Sequence, residues 1–344
     1  MIYAADRSQS GDRLMPFFAS ELSHRGFVFT DTDSFDYLIC VNHSPKDLMH
    51  FLKRSESKSR AILIRTEPKA VYPSQYKKRV TEKYGIVLSP GRINSDSVPF
   101  IPWPYQLNFN PQIPSLGGLD LNSSIRDLLE ESDSDLARWY KRPIRIVMIN
   151  ANKVSPTSKS NYSLRRKYAK LLSSSGLQIY GDLWNSKLVD KIHHRVRVLL
   201  FNLRRFYFPN LKEIYGNLHW RFEGYKGTIH NKFEILKNSR FALIIENDNE
   251  IITEKLFDAL LFGCVPIYVG PDLSDLGELS DLVIKFDNDL ESLLDKLESD
   301  QISEIKIRIN NYFHGNQFIY HWSSSRVYAD IANRCANYLQ GLNL

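Results

Sequence analysis

Three consecutive residues, Thr253-Glu254-Lys255, open an apolar helical segment directly after the polar burst Glu246-Asn247-Asp248-Asn249-Glu250. A lysine in a first helical turn faces the positive end of the helix dipole and is disfavoured there by roughly 0.3–1 kcal/mol, unless an anion sits in front of it. A diphosphate reverses that sign, because the free N–H groups of the turn and the ammonium then act together. Glu254 beside it can accept hydrogen bonds from sugar hydroxyls. On local chemistry alone, the same two residues equally serve to solvate a helix end. A further carboxylate, Glu67, follows the apolar run 61–65 and precedes Pro68, which favours extended backbone at Glu67. A carboxylate there faces the crevice at the carboxyl end of a buried strand, or is a surface glutamate at a turn.

The elements that must position these residues are legible from apolar patterning. Residues 241–245 read as a buried strand, and Leu256, Phe257, Leu260 and Leu261 share one helical face, with Thr253 as N-cap and Gly263 just past the end. Residues 265–269 give the next buried parallel strand, closed by Gly270-Pro271. This is one βαβ unit, and its first loop lies where open α/β sheets bind ligands. Earlier in the chain, 35–41, 61–65 and 86–88 are strand candidates and 47–54 a helix. Residues 143–150 and 177–180 are strands flanking a helix with the stripe Leu164, Tyr168, Leu171, Leu172. Residues 228–238 read as a capped helix and 318–344 as a terminal helix carrying Trp322, Val327, Tyr328 and Ile331. The turn-rich, polar stretch 111–142 reads as a linker between an amino-terminal domain, 1–110, and a second domain, 143–315, followed by a carboxyl-terminal helix over 316–344.

The 344 residues, 43% hydrophobic, suffice for two cores. The sequence has no run of about 18 apolar residues and no signal-peptide order at its amino terminus, so a cytoplasmic chain is expected, peripheral at most to the inner membrane face. Cys40, Cys264 and Cys335 are too scattered for a disulfide framework or zinc cluster and suit a reducing compartment. The net charge of +6 favours anionic partners without selecting one. Residues 187–210 interleave basic and aromatic side chains, which suits contact with an anionic membrane or an insertion packed on its own domain. No recognised module accompanies them, so nucleic acid is not an expected partner. Asp31/Asp33 and Asp133/Asp135 have metal-binding spacing, but one pair precedes a strand and the other lies in the linker; no metal requirement is expected.

Asn247, then Thr253-Glu254-Lys255-Leu256-Phe257-Asp258-Ala259-Leu260, then Gly263-Cys264-Val265-Pro266-Ile267-Tyr268-Val269-Gly270 resembles the donor-site signature of the family 10 glycosyltransferases, the α-1,3/4-fucosyltransferases. The loop between Asn247 and Thr253 is shorter than that family's, and Ile251 stands where the family generally has tyrosine. The resemblance implies a GT-B fold, two doubly wound Rossmann-like domains facing a central cleft. It also implies GDP-fucose as donor substrate, a glycan acceptor, no required cofactor and inverting transfer. Residue by residue, it makes Glu67 the catalytic base and Arg165, in the frame Leu164-Arg165-Arg166, the arginine that reaches the donor diphosphate, with Arg166 its adjacent competitor. Lys255 joins Arg165 at the diphosphate, and Glu254 and Asn247 hold ribose or fucose hydroxyls. Eukaryotic members of that family carry an amino-terminal membrane anchor, so a bacterial or viral enzyme or a truncated chain is expected. Gly263-Cys264-Val265-Pro266-Ile267 also resembles exostosin-like transferases, which would keep the fold and change the sugar. A non-catalytic binding relative is the remaining alternative.

Overall fold

The computed structural model describes residues 2–6, 19–30, 35–54, 57–89, 100–102, 136–153, 160–184, 222–229, 231–286, 289–314 and 324–342. Residues 187–210, the two Asp-x-Asp pairs and residues 318–323 lie outside them. The chain forms two compact units, one of Met1–Gln112 with His321–Leu344 and the other of Ile113–Tyr320.

The first unit holds five parallel strands, β1 (Ile2–Asp6), β2 (Tyr37–Val41), β3 (Ala61–Ile64), β4 (Ile86–Ser89) and β5 (Phe100–Pro102), in sequential order. Ile2 also bridges Phe29 in parallel on the free side of β1. The chain therefore leaves β1 toward one edge and returns to lay β2 on the other, so winding reverses between β1 and β2. Alternate residues of the strands feed two cores. Ile39, Val41, Ile62, Ile64, Ile86 and Leu88 pack with the terminal helix Ser324–Gly341 through Ile331, Cys335 and Leu339. Leu38, Cys40, Leu63 and Val87 pack with Leu48 and Phe51 of α1 (Pro45–Arg54). That helix starts two residues before the expected 47, because proline at the first helical position lacks only an N–H that would be unpaired anyway.

The second unit contains α2 (Leu136–Tyr140), β6 (Ile144–Ile149), α3 (Tyr162–Leu171), β7 (Leu177–Tyr180), β8 (Tyr225–Gly227), α4 (Lys232–Lys237), β9 (Ser239–Ile245), α5 (Glu254–Leu261), β10 (Val265–Val269), β11 (Ile284–Lys285), α6 (Leu290–Glu298) and α7 (Gln301–His314). Its sheet runs β11-β10-β9-β6-β7-β8, all parallel. Three strands wind outward from β6 on one side and three from β9 on the other, so the reversal falls between β6 and β9. Ligands of open parallel sheets lie outside the carboxyl ends of the strands at such a reversal.

Two local expectations are corrected. The helix expected over 228–238 begins only at Lys232, capped by Asn231, whose side chain accepts from the Phe233 N–H; the Thr228 hydroxyl instead donates to Asp182 Oδ1 at 3.1 Å. In α3, Leu164 and Leu171 are half-buried, and the inward face is Tyr162, Arg165, Tyr168 and Ala169. The helix is rotated because a guanidinium, not only leucines, turns inward.

Candidate functional site

At the carboxyl end of β9, Glu246 is fully buried. Its Oε1 accepts the Thr253 N–H at 2.8 Å, and its Oε2 accepts the Thr253 hydroxyl at 2.6 Å and Lys255 Nζ at 3.4 Å. Thr253 occupies the N-cap position, yet its hydroxyl makes no capping bond because it is given to Glu246. Lys255 Nζ also donates to that hydroxyl oxygen at 2.8 Å. The anion needed in front of Lys255 is thus supplied in part by the chain itself. Burial pushes the Glu246 carboxyl up from its ordinary range, against the opposing pull of Lys255 and of the bonds from Thr253. An ammonium has three N–H donors, and these contacts use two; the Lys255 side chain keeps 19% of its surface exposed.

Arg165 is only 2% exposed. Its Nη1 donates to Ala151 O at 3.0 Å, and its Nη2 to Asn247 Oδ1 at 2.7 Å and Ile245 O at 3.3 Å. The guanidinium carbon lies 4.5 Å from the Tyr162 ring centroid. Every one of these partners is neutral, and burial lowers the Arg165 pKa to about 10. The neighbouring Arg166 is half-buried and donates to Asn152 Oδ1 at 3.2 Å.

The short loop after β9 is fixed from both ends. Asn247 O accepts the Asn161 N–H at 2.9 Å, Asn161 Nδ2 donates to Asn249 Oδ1 at 2.7 Å, and Ser160 bridges Asp248. Asp248 Oδ1 accepts the N–H groups of Glu250 and Ile251 at 3.1 Å each. Ile251 is buried, filling the unit's interior from the loop.

Several buried polar atoms at this edge have no hydrogen-bond partner among the described residues: Asn150 Nδ2 and Oδ1, Asn152 Nδ2, Arg165 Nε and the Tyr268 hydroxyl. Such atoms each cost about 1–3 kcal/mol when nothing satisfies them, and native proteins keep few. Asn150 follows β6, with its carbonyl held by Trp184 Nε1 at 2.5 Å. Tyr268 lies on β10, its hydroxyl pushed far up by burial and then by Glu246 and Asp248. Gly270 packs against both: a Cβ there would lie 2.7 Å from Glu246 Cγ and from the Tyr268 hydroxyl.

Of the residues expected from sequence, Arg165 and Asn247 are hydrogen-bonded to each other, and Lys255 stands on the same sheet edge through Glu246. Glu254 is half-buried, close enough to raise Glu246 and Asp258 electrostatically. Glu67 belongs to the first unit, half-buried in the loop after β3. Glu246, Asn150, Asn152 and Tyr268 were not singled out from sequence; a polar residue immediately after the apolar run that closes a parallel strand is the signal that finds the first two. Among the described residues no group of three or more His, Cys, Asp or Glu side chains is arranged to hold a metal. No helix among them is long and apolar enough to cross a membrane.

No family model matches this chain. A stretch of 95 residues, 26% of the chain, is 36% identical to a fucosyltransferase-like protein of Arabidopsis thaliana and spans 18% of that protein, less than a fifth of its length. An α-glucosyltransferase structure in complex with UDP and a 13-mer DNA containing an A:G mismatch aligns with a TM-score of 0.51 at 14% identity, over 96% of this chain and 98% of that one. A crystal structure of an α1,3-fucosyltransferase aligns at 0.46 and 14% identity, over 96% of this chain and 80% of that one, a likeness too low to add weight to either sugar. With two Rossmann-like units of parallel strands, the chain has the α/β fold of the GT-B glycosyltransferases.

Proposed function

We propose that this chain is an inverting glycosyltransferase that moves fucose from GDP-fucose to a hydroxyl of an acceptor glycan. The observation that carries the reading is the gathering, at the reversal between β6 and β9, of two cations, Arg165 and Lys255, with buried polar atoms that have no hydrogen-bond partner among the described residues. A diphosphate and a sugar offer these groups the acceptors and donors they lack. The signature from Asn247 to Gly270 and the stretch shared with a fucosyltransferase-like protein support fucose as the sugar.

In this reading the Glu67 carboxylate takes the proton of the acceptor hydroxyl. That oxygen forms a bond to the anomeric carbon as the bond from the anomeric carbon to the β-phosphate oxygen breaks, and the electron pair leaves on GDP. General-base assistance of this kind contributes about 10²–10⁴ in rate. Charge developing on the diphosphate is met by groups held beforehand: Lys255 through its remaining N–H, and Arg165 through its charge and its hold on Asn247. Glu254 and Asn247 accept and donate to sugar hydroxyls. The UDP held by the α-glucosyltransferase structure favours a second reading, a UDP-sugar donor on the same fold.

The test is release of GDP from GDP-fucose, with no metal added and with water or a glycan as acceptor, by wild type and Glu67→Gln. Turnover that falls about 10²–10⁴-fold in the variant while donor affinity is kept supports the reading. Turnover of UDP-sugars alone replaces the sugar, and GDP-fucose binding without turnover makes the chain a binding relative.

A further inference from the structure

We propose that Asn42 is a positioning residue for Glu67, acting through the peptide that carries the carboxylate; the proposal rests on Glu67 being the base. Asn42 follows β2 at φ +59°, in the left-handed region that side-chain-bearing residues rarely adopt and that asparagine tolerates best among them. It is 4% exposed. Its N–H donates to Ile64 O at 2.7 Å, its Nδ2 donates to Thr66 Oγ1 at 2.7 Å, and its Oδ1 accepts the N–H groups of Thr66 at 3.0 Å and Glu67 at 3.2 Å. The Glu67 carbonyl is held as well, accepting Gln75 Nε2 at 2.9 Å and the Tyr76 hydroxyl at 2.8 Å. The loop bearing Gln75 is tied back to the residue after Asn42: Gln75 Oε1 accepts the His43 N–H at 3.3 Å, and the Tyr72 hydroxyl donates to His43 O at 3.0 Å.

Both polar groups of Glu67's backbone are thus fixed by side chains from two other segments, while its own side chain is half-buried. A glutamate in a surface turn needs no such arrangement, since water satisfies its backbone. Strained backbone that the surroundings hold in place is concentrated at working sites, and Asn42 follows β2 at the β1/β2 reversal, the ligand-receiving position of the first sheet. Reacting groups misplaced by about 1 Å lose about 10²-fold in rate, so a residue that sets the peptide before the base sets turnover without touching the donor.

The experiment measures kcat and KM for GDP-fucose turnover in wild type, Asn42→Gly, Thr66→Val, Glu67→Gln and the Asn42→Gly/Glu67→Gln double variant. Glycine keeps the left-handed backbone and removes only the clamp; Thr66→Val removes one partner of that clamp and serves if Asn42→Gly fails to fold. The expected result is a kcat lowered about 10²-fold in Asn42→Gly, lowered in the same direction in Thr66→Val, an unchanged KM, and no further loss in the double variant relative to Glu67→Gln. A wild-type kcat in Asn42→Gly, or an equal additional loss in the double variant, overturns the positioning role while leaving the base in place. Wild-type turnover in Glu67→Gln overturns the base assignment and the inference with it.

Discussion

Replacing Lys306 by methionine should remove a pH dependence from the stability of the second unit. Lys306, on α7, is 1% exposed, its Nζ donates to Asn310 Oδ1 at 2.5 Å, and among the described residues it makes no ion pair. Arg142 lies near it, donating to Ser239 O at 2.8 Å and Phe262 O at 2.9 Å beneath the end of α5. Burial, and then the like charge of Arg142, lowers the Lys306 pKa to about 7. In the unfolded chain the amine titrates near 10.4, so between these values the unfolded state holds more protons and stability rises with pH. At 1.36 kcal/mol per unit, the rise from pH 7 to pH 9 integrates to about 2 kcal/mol. Cys264, pushed up to about 11 by burial, acts with the opposite sign only above the ordinary thiol range, so the window closes at pH 9. Wild type and Lys306→Met unfolded in urea side by side at pH 6, 7, 8 and 9 should differ most at pH 6, the variant being the more stable. The gap should narrow by about 2 kcal/mol from pH 7 to pH 9. A gap constant across that range would refute the argument, because the ammonium would then be charged in the folded chain despite its burial.

Two further substitutions test the edge between β6 and β9. Thr253→Val keeps the shape and leaves Glu246 Oε2 without the hydroxyl at 2.6 Å; urea unfolding should show a loss of about 1–3 kcal/mol, largely recovered by Thr253→Ser. Gly270→Ala places a Cβ against Glu246 and Tyr268 and should cost about 1–3 kcal/mol, read in the same assay, with weaker GDP-fucose binding.

The strands were legible because parallel strands buried on both faces are written as short apolar runs, and 241–245 and 265–269 fall within β9 and β10. Their spatial order was not, because the reversals at β1/β2 and β6/β9 depend on partners remote in sequence. The stretch from Asn247 to Gly270 drew attention to Lys255 but gave no sign that Glu246 is its internal counter-ion, since a glutamate in a polar burst reads as solvated until a fold closes over it. Arg165 shows the same limit: its sequence neighbours Arg166, Lys167 and Lys170 suggest an exposed basic face, and only its bonds to the loop after β6, the end of β9 and the loop after β9 explain its burial. Asp258 likewise sits in the middle of an apolar helix, buried because Lys232 pairs with it from α4. Helix ends were least legible where a hydroxyl had a tertiary partner, as Thr228 has in Asp182.

The central claim is that the edge between β6 and β9 receives a guanine nucleotide sugar through Lys255. Isothermal titration of the wild type with GDP-fucose, GDP-mannose and UDP-galactose, without metal, and of Lys255→Ala with the same set, addresses it most directly. The account predicts selective binding of the guanine donors, GDP-fucose among them, weakened about tenfold or more in the variant, the worth of one charge-assisted hydrogen bond. Binding of UDP-galactose alone, or GDP-fucose binding unchanged in Lys255→Ala, would contradict it.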